Sequence, residues 1–366
     1  MDLTAPSDGI LRPTEPELMG LTQNLAAQAG PLDKSGDWPT HQIRQCGESG
    51  VFRWFVGPER GGLGCSDADI LRGYLQLSAS CLTTSFILTQ FTGALRRVAA
   101  SGAAIVDRVL EDLLSGQSLA SLGISHLTTS HRHLGKSILS AELSAEPGDG
   151  GFLLNGFSPW VTGSPHIDWI VVGAEIEDGR QILALLPMDH PGISVDPPTK
   201  LMALTGSHTG AVRFDQVQVQ ADAILAGPEE QVLVRATGAS TGGLQTSALA
   251  IGLADSAIGL IEQQSVTRSD LAEPANRLRA EQNVAREDLL SLATGGQACS
   301  PGELRGRANS LAIRSSQAAL AAVKGAGYIE GHPAGRLCRE ALFFLVWSCP
   351  QPVMAANLCE LAGLSE

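Results

Sequence analysis

The spacing of apolar residues changes twice along this chain of 366 residues, and these two changes constrain the fold more than any other feature. Up to residue 119, apolar residues recur at the i, i+3, i+4 spacing of amphipathic helices. Over residues 120–228 they alternate in short runs separated by turn residues, as in an antiparallel sheet or small barrel. Over residues 229–366 the helical spacing returns. The sequence therefore predicts an α+β chain of three domains: a helical domain, a middle antiparallel β-barrel or sheet domain, and a C-terminal four-helix bundle.

Eight segments carry the helical spacing. They are residues 17–29, 67–77, 81–101 and 104–114 before the predicted sheet, and residues 243–266, 274–293, 301–326 and 334–345 after it. Glycine and proline lie mostly between these segments, where the chain has to turn. No low-complexity linker separates the three regions, so we expect them to pack as one body.

The charge balance narrows the choice of partners. The formal net charge is -13 and no run of Lys and Arg exceeds two residues, which argues against nucleic acid, since binding to phosphates needs clustered positive charge. The first residues lack the basic start and apolar run of a signal peptide. The most apolar stretch, residues 341–347, is far shorter than the ~20 residues of a membrane span. We therefore expect a cytoplasmic protein without a membrane span.

The seven cysteines form no CxxC pair, so a disulfide framework is not expected. His126, His131 and His133 lie close together in sequence but have no Cys or carboxylate nearby to complete a metal shell. We expect no metal site.

The most specific motif is Gly-Phe-Leu-Leu-Asn-Gly-Phe-Ser-Pro-Trp-Val-Thr-Gly, which starts at residue 151. It resembles the strand pair written Gly-Tyr-x-Leu-Asn-Gly-x-Lys-x-Trp-Ile-Thr-Asn in the acyl-CoA dehydrogenase family of flavoproteins. In that family the Trp and Thr lie against the flavin, and the resemblance assigns these roles to Trp160 and Thr162. An indole packs on a flavin face, and a hydroxyl donates to a flavin edge atom.

Further segments extend this resemblance over nearly the whole chain. Residues 37–64 are similar to the family's segment that ends in Pro-Glu-x-x-Gly-Gly-x-Gly. Residues 122–131 lie where relatives bind the flavin and the pantetheine arm, which implies that Ile124 and Ser130 contact FAD and that Ser130 also contacts substrate. Arg268 ends a long helical segment whose Arg, in relatives, reaches the flavin pyrophosphate of a neighbouring subunit; a guanidinium suits that role.

The family's catalytic glutamate is missing. Residues 323–352 resemble the segment that leads to the catalytic Tyr-Glu-Gly-Thr, and counting from Arg336 and Arg339 puts Trp347 on the Tyr and Ser348 on the Glu. We call position 348 the base position. Some relatives carry the glutamate 26 residues before the pyrophosphate Arg, which here is Gly242. The resemblance thus places Trp347 and Gly242 beside the substrate, while Ser348 without a partner base does not meet the need for proton abstraction.

Three hypotheses for the function follow from the resemblance. The first is an FAD-dependent oxidoreductase acting on a CoA- or carrier-linked acyl group, with its base supplied elsewhere; Glu330 and Glu340 are candidates. The second is a flavin-dependent monooxygenase of the same fold, and the third is a catalytically inactive scaffold or binding protein. The resemblance also implies an acyl-CoA or acyl-carrier thioester as substrate, an electron-transfer partner, and a homodimer or homotetramer.

Overall fold

The computed structural model describes residues 11–14, 16, 18–128, 138–144, 151–237 and 243–364. Over these residues the chain runs through helices, then a sheet, then helices again. The helices before the sheet are α1 (Leu18–Ser35), α2 (Thr40–Glu48), α3 (Asp67–Ser80), α4 (Leu82–Ala100) and α5 (Val106–Ser115). The predicted order of a helical domain, a sheet domain and C-terminal helices is confirmed.

The described residues of the middle region form one sheet of eight strands. They are β1 (Ala120–Gly123), β2 (Leu139–Leu143), β3 (Phe152–Val161), β4 (Trp169–Glu175), β5 (Gln181–Pro187), β6 (Ile193–Val195), β7 (Gly210–Val219) and β8 (Ile224–Glu229), with the short helix α6 (Ser125–Thr128) after β1. Their order is β6-β7-β3-β2-β4-β5-β8, and β1 pairs with β4. Most neighbours are antiparallel, as predicted, but β1 and β2 pair with β4 in parallel. The chain crosses between non-consecutive strands at this point, which short alternating runs do not reveal.

The C-terminal region consists of helices α7 (Val232–Thr237), α8 (Leu244–Ser265), α9 (Ala272–Ala293), α10 (Pro301–Val323), α11 (Pro333–Ala341) and α12 (Gln351–Leu361). Serine and proline set the start of α10: the Ser300 side chain accepts a hydrogen bond from the Glu303 amide at 3.1 Å, and Pro301 occupies the first turn, where its missing N–H costs nothing. Two helix ends in this region differ by more than two residues from the predicted ones. The segment predicted as 334–345 stops at Ala341 and continues as a 3-10 turn over Leu342–Leu345, while 301–326 stops at Val323 because Lys324 has a φ of 56°.

Helix α8 forms the centre of the bundle and also joins it to the first domain. The hydroxyl of Ser78 on α3 donates to the carbonyl of Leu249 on α8 at 2.6 Å. At Gly252 the helices are so close that a Cβ would lie 2.6 Å from the carbonyl oxygen of Leu75. The three regions therefore pack as one body.

Helix α8, and not residues 341–347, is the longest strongly apolar segment. Among the described residues it is the one helix long and apolar enough to cross a membrane, and 67% of its most apolar window is buried inside the protein. A core helix buried on all sides has the same composition. Its apolarity is accounted for by packing, and the expected lack of a membrane span stays a prediction.

Candidate active site

An aromatic cluster surrounds Trp347, the residue predicted to lie beside the substrate. The Trp347 ring stacks on Phe343, with ring centroids 5.1 Å apart and an interplanar angle of 11°. Phe86 of α4 meets the Trp347 ring edge-on at 5.2 Å and the Phe343 ring at 4.9 Å. Phe86 is buried, whereas Trp347 and Phe343 are half-buried. The cluster thus forms an apolar wall between the first domain and the bundle.

A buried arginine of α10 holds the backbone of this cluster. The Nη2 of Arg305 donates to the carbonyl oxygen of Trp347 at 2.9 Å, and Nδ2 of Asn309 donates to the carbonyl of Phe344 at 3.0 Å. Arg305 is fully buried, and its Nε and Nη1 have no hydrogen-bond partner among the described residues. Desolvation of the guanidinium lowers the pKa of Arg305 to about 10, because burial disfavours the charged form. A buried cation therefore lies directly beneath the segment that carries the base position.

Ser348 at the base position has a left-handed backbone, with a φ of 46°. Such a conformation is uncommon for a residue with a Cβ. The neighbouring Cys349 is half-buried, and burial raises the pKa of its thiol, while Arg305 acts in the opposite direction. Neither side chain supplies a base populated near neutral pH.

The two residues of the flavin motif differ in exposure. Trp160 lies near the end of β3 and is 53% exposed, while Thr162 follows that strand and is buried. The Thr162 hydroxyl lies 3.2 Å from that of Thr209, which lies 2.9 Å from that of Ser207. Three hydroxyls hold three protons, and two hydrogen bonds among them use two. None of these hydroxyls donates to another described side chain, so one proton is left for a further acceptor, two residues along the chain from an exposed indole.

A histidine pair beside these hydroxyls was not found from the sequence. Nε2 of His208 donates to the carbonyl of Gly36 at 3.0 Å, so Nδ1 of a neutral His208 accepts from Nε2 of His166 at 2.7 Å. The indole of Trp38 stacks on His166 at 4.6 Å. Desolvation, and to a smaller extent His208, lowers the pKa of His166. The two histidines lie in separate loops, so no local spacing in the sequence predicts the pair.

The remaining predicted cofactor residues are only partly described. Ile124 lies between β1 and α6, half-buried against the core. Arg268 follows α8: its Nη1 donates to the carbonyl of Ala322 at 2.6 Å and its Nη2 to Asp270 at 2.9 Å. Ser130 and Gly242 lie outside the described residues. The cofactor and substrate contacts assigned to these four residues stay predictions.

The two candidate bases are placed very differently. Glu340 is 1% exposed and lies in an ion pair with Arg336 at 3.2 Å. Desolvation raises the pKa of the Glu340 carboxyl, and Arg336 partly offsets this rise. Glu330 is exposed in the turn before α11. A fully buried, paired carboxylate is part of the packing of α11, so Glu340 is unsuited to meeting a substrate.

The described residues contain no group of three or more His, Cys, Asp and Glu side chains placed to hold a metal ion. The Nε2 of His126 lies 2.7 Å from the carbonyl oxygen of Gly173, and this contact ties α6 to β4. His131 and His133 lie outside the described residues.

Sequence comparison gives distant relatives of one kind. No family profile matches the chain. It is 26% identical to benzylmalonyl-CoA dehydrogenase of Aromatoleum aromaticum over 75% of this chain and 72% of the relative. It is 23% identical to the probable acyl-CoA dehydrogenase YngJ of Bacillus subtilis over 87% of this chain and 88% of the relative.

Structural comparison gives neighbours of one fold. A glutaryl-coenzyme A dehydrogenase in complex with glutaryl-CoA has a TM-score of 0.80 at 17% identity, covering 100% of this chain and 98% of the other. Butyryl-CoA dehydrogenase from Megasphaera elsdenii has a TM-score of 0.79 at 16% identity, covering 99% and 100%. KijD3 in complex with FMN and a dTDP-linked sugar has a TM-score of 0.73 at 18% identity, covering 99% and 98%.

The chain has the acyl-CoA dehydrogenase fold. Its resemblance to acyl-CoA dehydrogenases, predicted from the motifs, is confirmed by relatives of that name. The chain is thus similar in sequence and in fold to acyl-CoA dehydrogenases.

Proposed function

We propose that this chain is an FAD-dependent oxidoreductase that acts on a CoA- or carrier-linked acyl group without a carboxylate at the base position. Its relatives include dehydrogenases named for benzylmalonyl-CoA and acyl-CoA, and a neighbour of the same fold was solved with glutaryl-CoA. The same proposal includes a cytoplasmic location, an electron-transfer partner, and a homodimer or homotetramer.

The observation that carries the proposal is the pairing of an exposed indole with a buried donor. Trp160 exposes 53% of its surface, so a large part of the indole face is free to meet a planar partner. Thr162 follows two residues later, and within the described part of the chain its hydroxyl and those of Thr209 and Ser207 keep one proton that they do not share. A planar ring with acceptor atoms on its edge, such as the isoalloxazine of FAD, fits both features. When bound, FAD supplies the hydride acceptor.

The aromatic cluster suits the acyl group of the substrate. Phe86, Phe343 and Trp347 form an apolar wall, against which an acyl chain loses apolar surface to water. Arg305 fixes this wall by its hydrogen bond to the Trp347 carbonyl at 2.9 Å. In this arrangement the chain orients the acyl group and excludes water, while the side chain of Ser348 leaves proton removal slow. A low rate of dehydrogenation follows.

Oxygen chemistry is the second candidate. A flavin monooxygenase needs no base at the α-carbon, and both family positions for that base lack a carboxylate, with Ser348 at one and Gly242 at the other. KijD3, a neighbour of the same fold, was solved with FMN and a dTDP-linked sugar, so the fold is not restricted to acyl-CoA thioesters. A catalytically inactive scaffold would retain the fold and bind no flavin.

An absorption spectrum of the protein as isolated is the first test. A flavin band is expected. Its absence even after incubation with FAD would support the hypothesis of an inactive scaffold. With flavin bound, anaerobic bleaching by an acyl-CoA series supports the dehydrogenase. Oxygen consumption driven by NADH without such bleaching supports the monooxygenase and overturns the proposal.

A further inference from the structure

Helix α12 is buried on one side only. Val353 and Asn357, one turn apart on that side, are each 5% exposed. The neighbouring side is apolar and exposed, and its three large side chains are between 40% and 59% exposed. Residues three and four positions before and after a central residue share one side of a helix with it. We call this side the α12 face; it consists of Met354, Ala355, Leu358, Leu361 and Ala362.

The α12 face carries no charge. The one charged residue of α12 is Glu360, and its carboxylate accepts a hydrogen bond from the Ser310 hydroxyl of α10, so this charge lies on the side of α12 that meets α10. A protein of net charge -13 repels a second copy of itself except where the surfaces that meet are uncharged. The α12 face is such a surface. A membrane is disfavoured as the partner, because α12 has no Lys or Arg to meet anionic headgroups.

The order of large and small side chains makes the α12 face complementary to itself. Met354 lies four residues before Leu358 and Ala362 four residues after it, while Ala355 lies three before and Leu361 three after. If two copies of α12 pack antiparallel with Leu358 opposite Leu358, Met354 meets Ala362 and Leu361 meets Ala355. Each large side chain then lies against a small one, which lets the two helices interdigitate. A two-fold axis through the contact produces this pairing.

We propose that the α12 face is a contact between two copies of this chain, packed antiparallel about a two-fold axis at Leu358. This inference rests on the homo-oligomer included in the proposed function and names a surface that forms it. Each copy removes Met354, Leu358 and Leu361 from water, and this burial of apolar surface drives the association.

Cys359 offers an independent readout of this arrangement. Its thiol is free and exposed, at the edge of the α12 face beside Leu358. A two-fold axis perpendicular to the plane of the paired helices keeps both copies of Cys359 on the same side of the pair. The two thiols are therefore expected roughly 10 Å apart, the spacing of packed helices.

The test measures the mass of the full chain by sedimentation velocity at low ionic strength. Leu358→Glu places two carboxylates opposite each other across the axis, and Leu358→Lys places two ammonium groups there, so each variant alone should show a twofold lower mass than the wild type. An equal mixture of the two variants should regain the wild-type mass, because opposite charges then face each other. Only a contact in which position 358 meets itself predicts this recovery.

The matched control is Val284→Glu, at an apolar position of α9 that is 49% exposed; it should keep the wild-type mass. Thermal melting shows whether each variant folds. A short bis-maleimide should join two wild-type chains through Cys359, and Cys359→Ser should remove this product. The crosslink needs no substitution on the α12 face, so it tests the contact even if the variants at position 358 do not fold.

Three outcomes would overturn the inference alone: an oligomer whose mass Leu358→Glu leaves unchanged, variants that do not recover on mixing, or a crosslink that persists in Cys359→Ser. A monomeric wild type would overturn both the inference and the homo-oligomer of the proposed function. The flavin band and its bleaching by acyl-CoA are read separately, so failure of the α12 contact is distinguishable from failure of the proposed reaction.

Discussion

The guanidinium of Arg305 donates to the carbonyl oxygen of Trp347 at 2.9 Å, one residue before the base position. The arginine is fully buried and two of its nitrogens have no partner among the described residues. A cation is therefore fixed beside Ser348, the position to which the resemblance assigns the family's catalytic glutamate. A carboxylate introduced at this position would lie near a positive charge.

We predict that Ser348→Glu raises acyl-CoA dehydrogenation. A positioned general base contributes roughly 10²–10⁴-fold to a proton-transfer step, and the nearby guanidinium favours the ionised form of a new carboxylate. The rate is measured with an artificial electron acceptor over several acyl chain lengths. Ser348→Gln is the matched control, since it has the same shape without basicity. Equal rates for the two variants would show that position 348 does not face the α-carbon.

Trp160→Ala is expected to weaken flavin retention. Loss of an aromatic contact costs about 0.5–1.5 kcal/mol beyond the lost area, so the flavin content after dialysis should fall severalfold. The fold should persist, because the indole is already 53% exposed. Phe157→Ala is the control on the same strand: Phe157 is 36% exposed and lies under the guanidinium of Arg213, 5.6 Å from the ring centroid. Unchanged flavin content in Trp160→Ala would mean that the motif has been misassigned.

Glu340→Gln is expected to destabilise the fold and not to remove a base. It leaves Arg336, whose side chain is 11% exposed, without the counter-charge of this pair, and breaking a buried ion pair from one side costs about 3–5 kcal/mol. Urea unfolding measures the change in the free energy of unfolding. Glu330→Gln, at an exposed position, should stay within about 0.5 kcal/mol of the wild type. A Glu340→Gln protein that is as stable as the wild type but inactive would return Glu340 to the list of candidate bases.

Two glycines of α8 should respond to alanine with opposite signs. A Cβ at Gly252 would lie 2.6 Å from the Leu75 carbonyl oxygen, whereas a Cβ at Gly259 meets no atom within 4 Å. Gly252→Ala should therefore destabilise by about 1–3 kcal/mol through overpacking. Gly259→Ala should stabilise by about 0.5–1 kcal/mol through helix propensity. Chemical denaturation of both variants checks the sign, and a Gly252→Ala protein as stable as wild type would contradict the close α3–α8 contact.

The sequence by itself determined the order of the domains and most of the long helices. Periodicity is a local property, so the spacing over residues 274–293 indicates a helix wherever that helix packs, and α9 (Ala272–Ala293) agrees with it. The motif around Trp160 likewise names a family without any knowledge of contacts. The spacing of apolar residues did not predict α2 and α12, which are short. In α12, apolar residues such as Leu358, which is 59% exposed, also do not face a core.

Tertiary structure alone decided which side chains meet. Arg305 and Trp347 are 42 residues apart, as are His166 and His208, and no spacing rule links residues at such distances. The burial of Glu340 depends on how the neighbouring elements cover it. The sequence shows that a residue is ionisable, but not whether its side chain is exposed to water or buried. The free energy of the charged form depends on that burial and on the partners that the fold supplies.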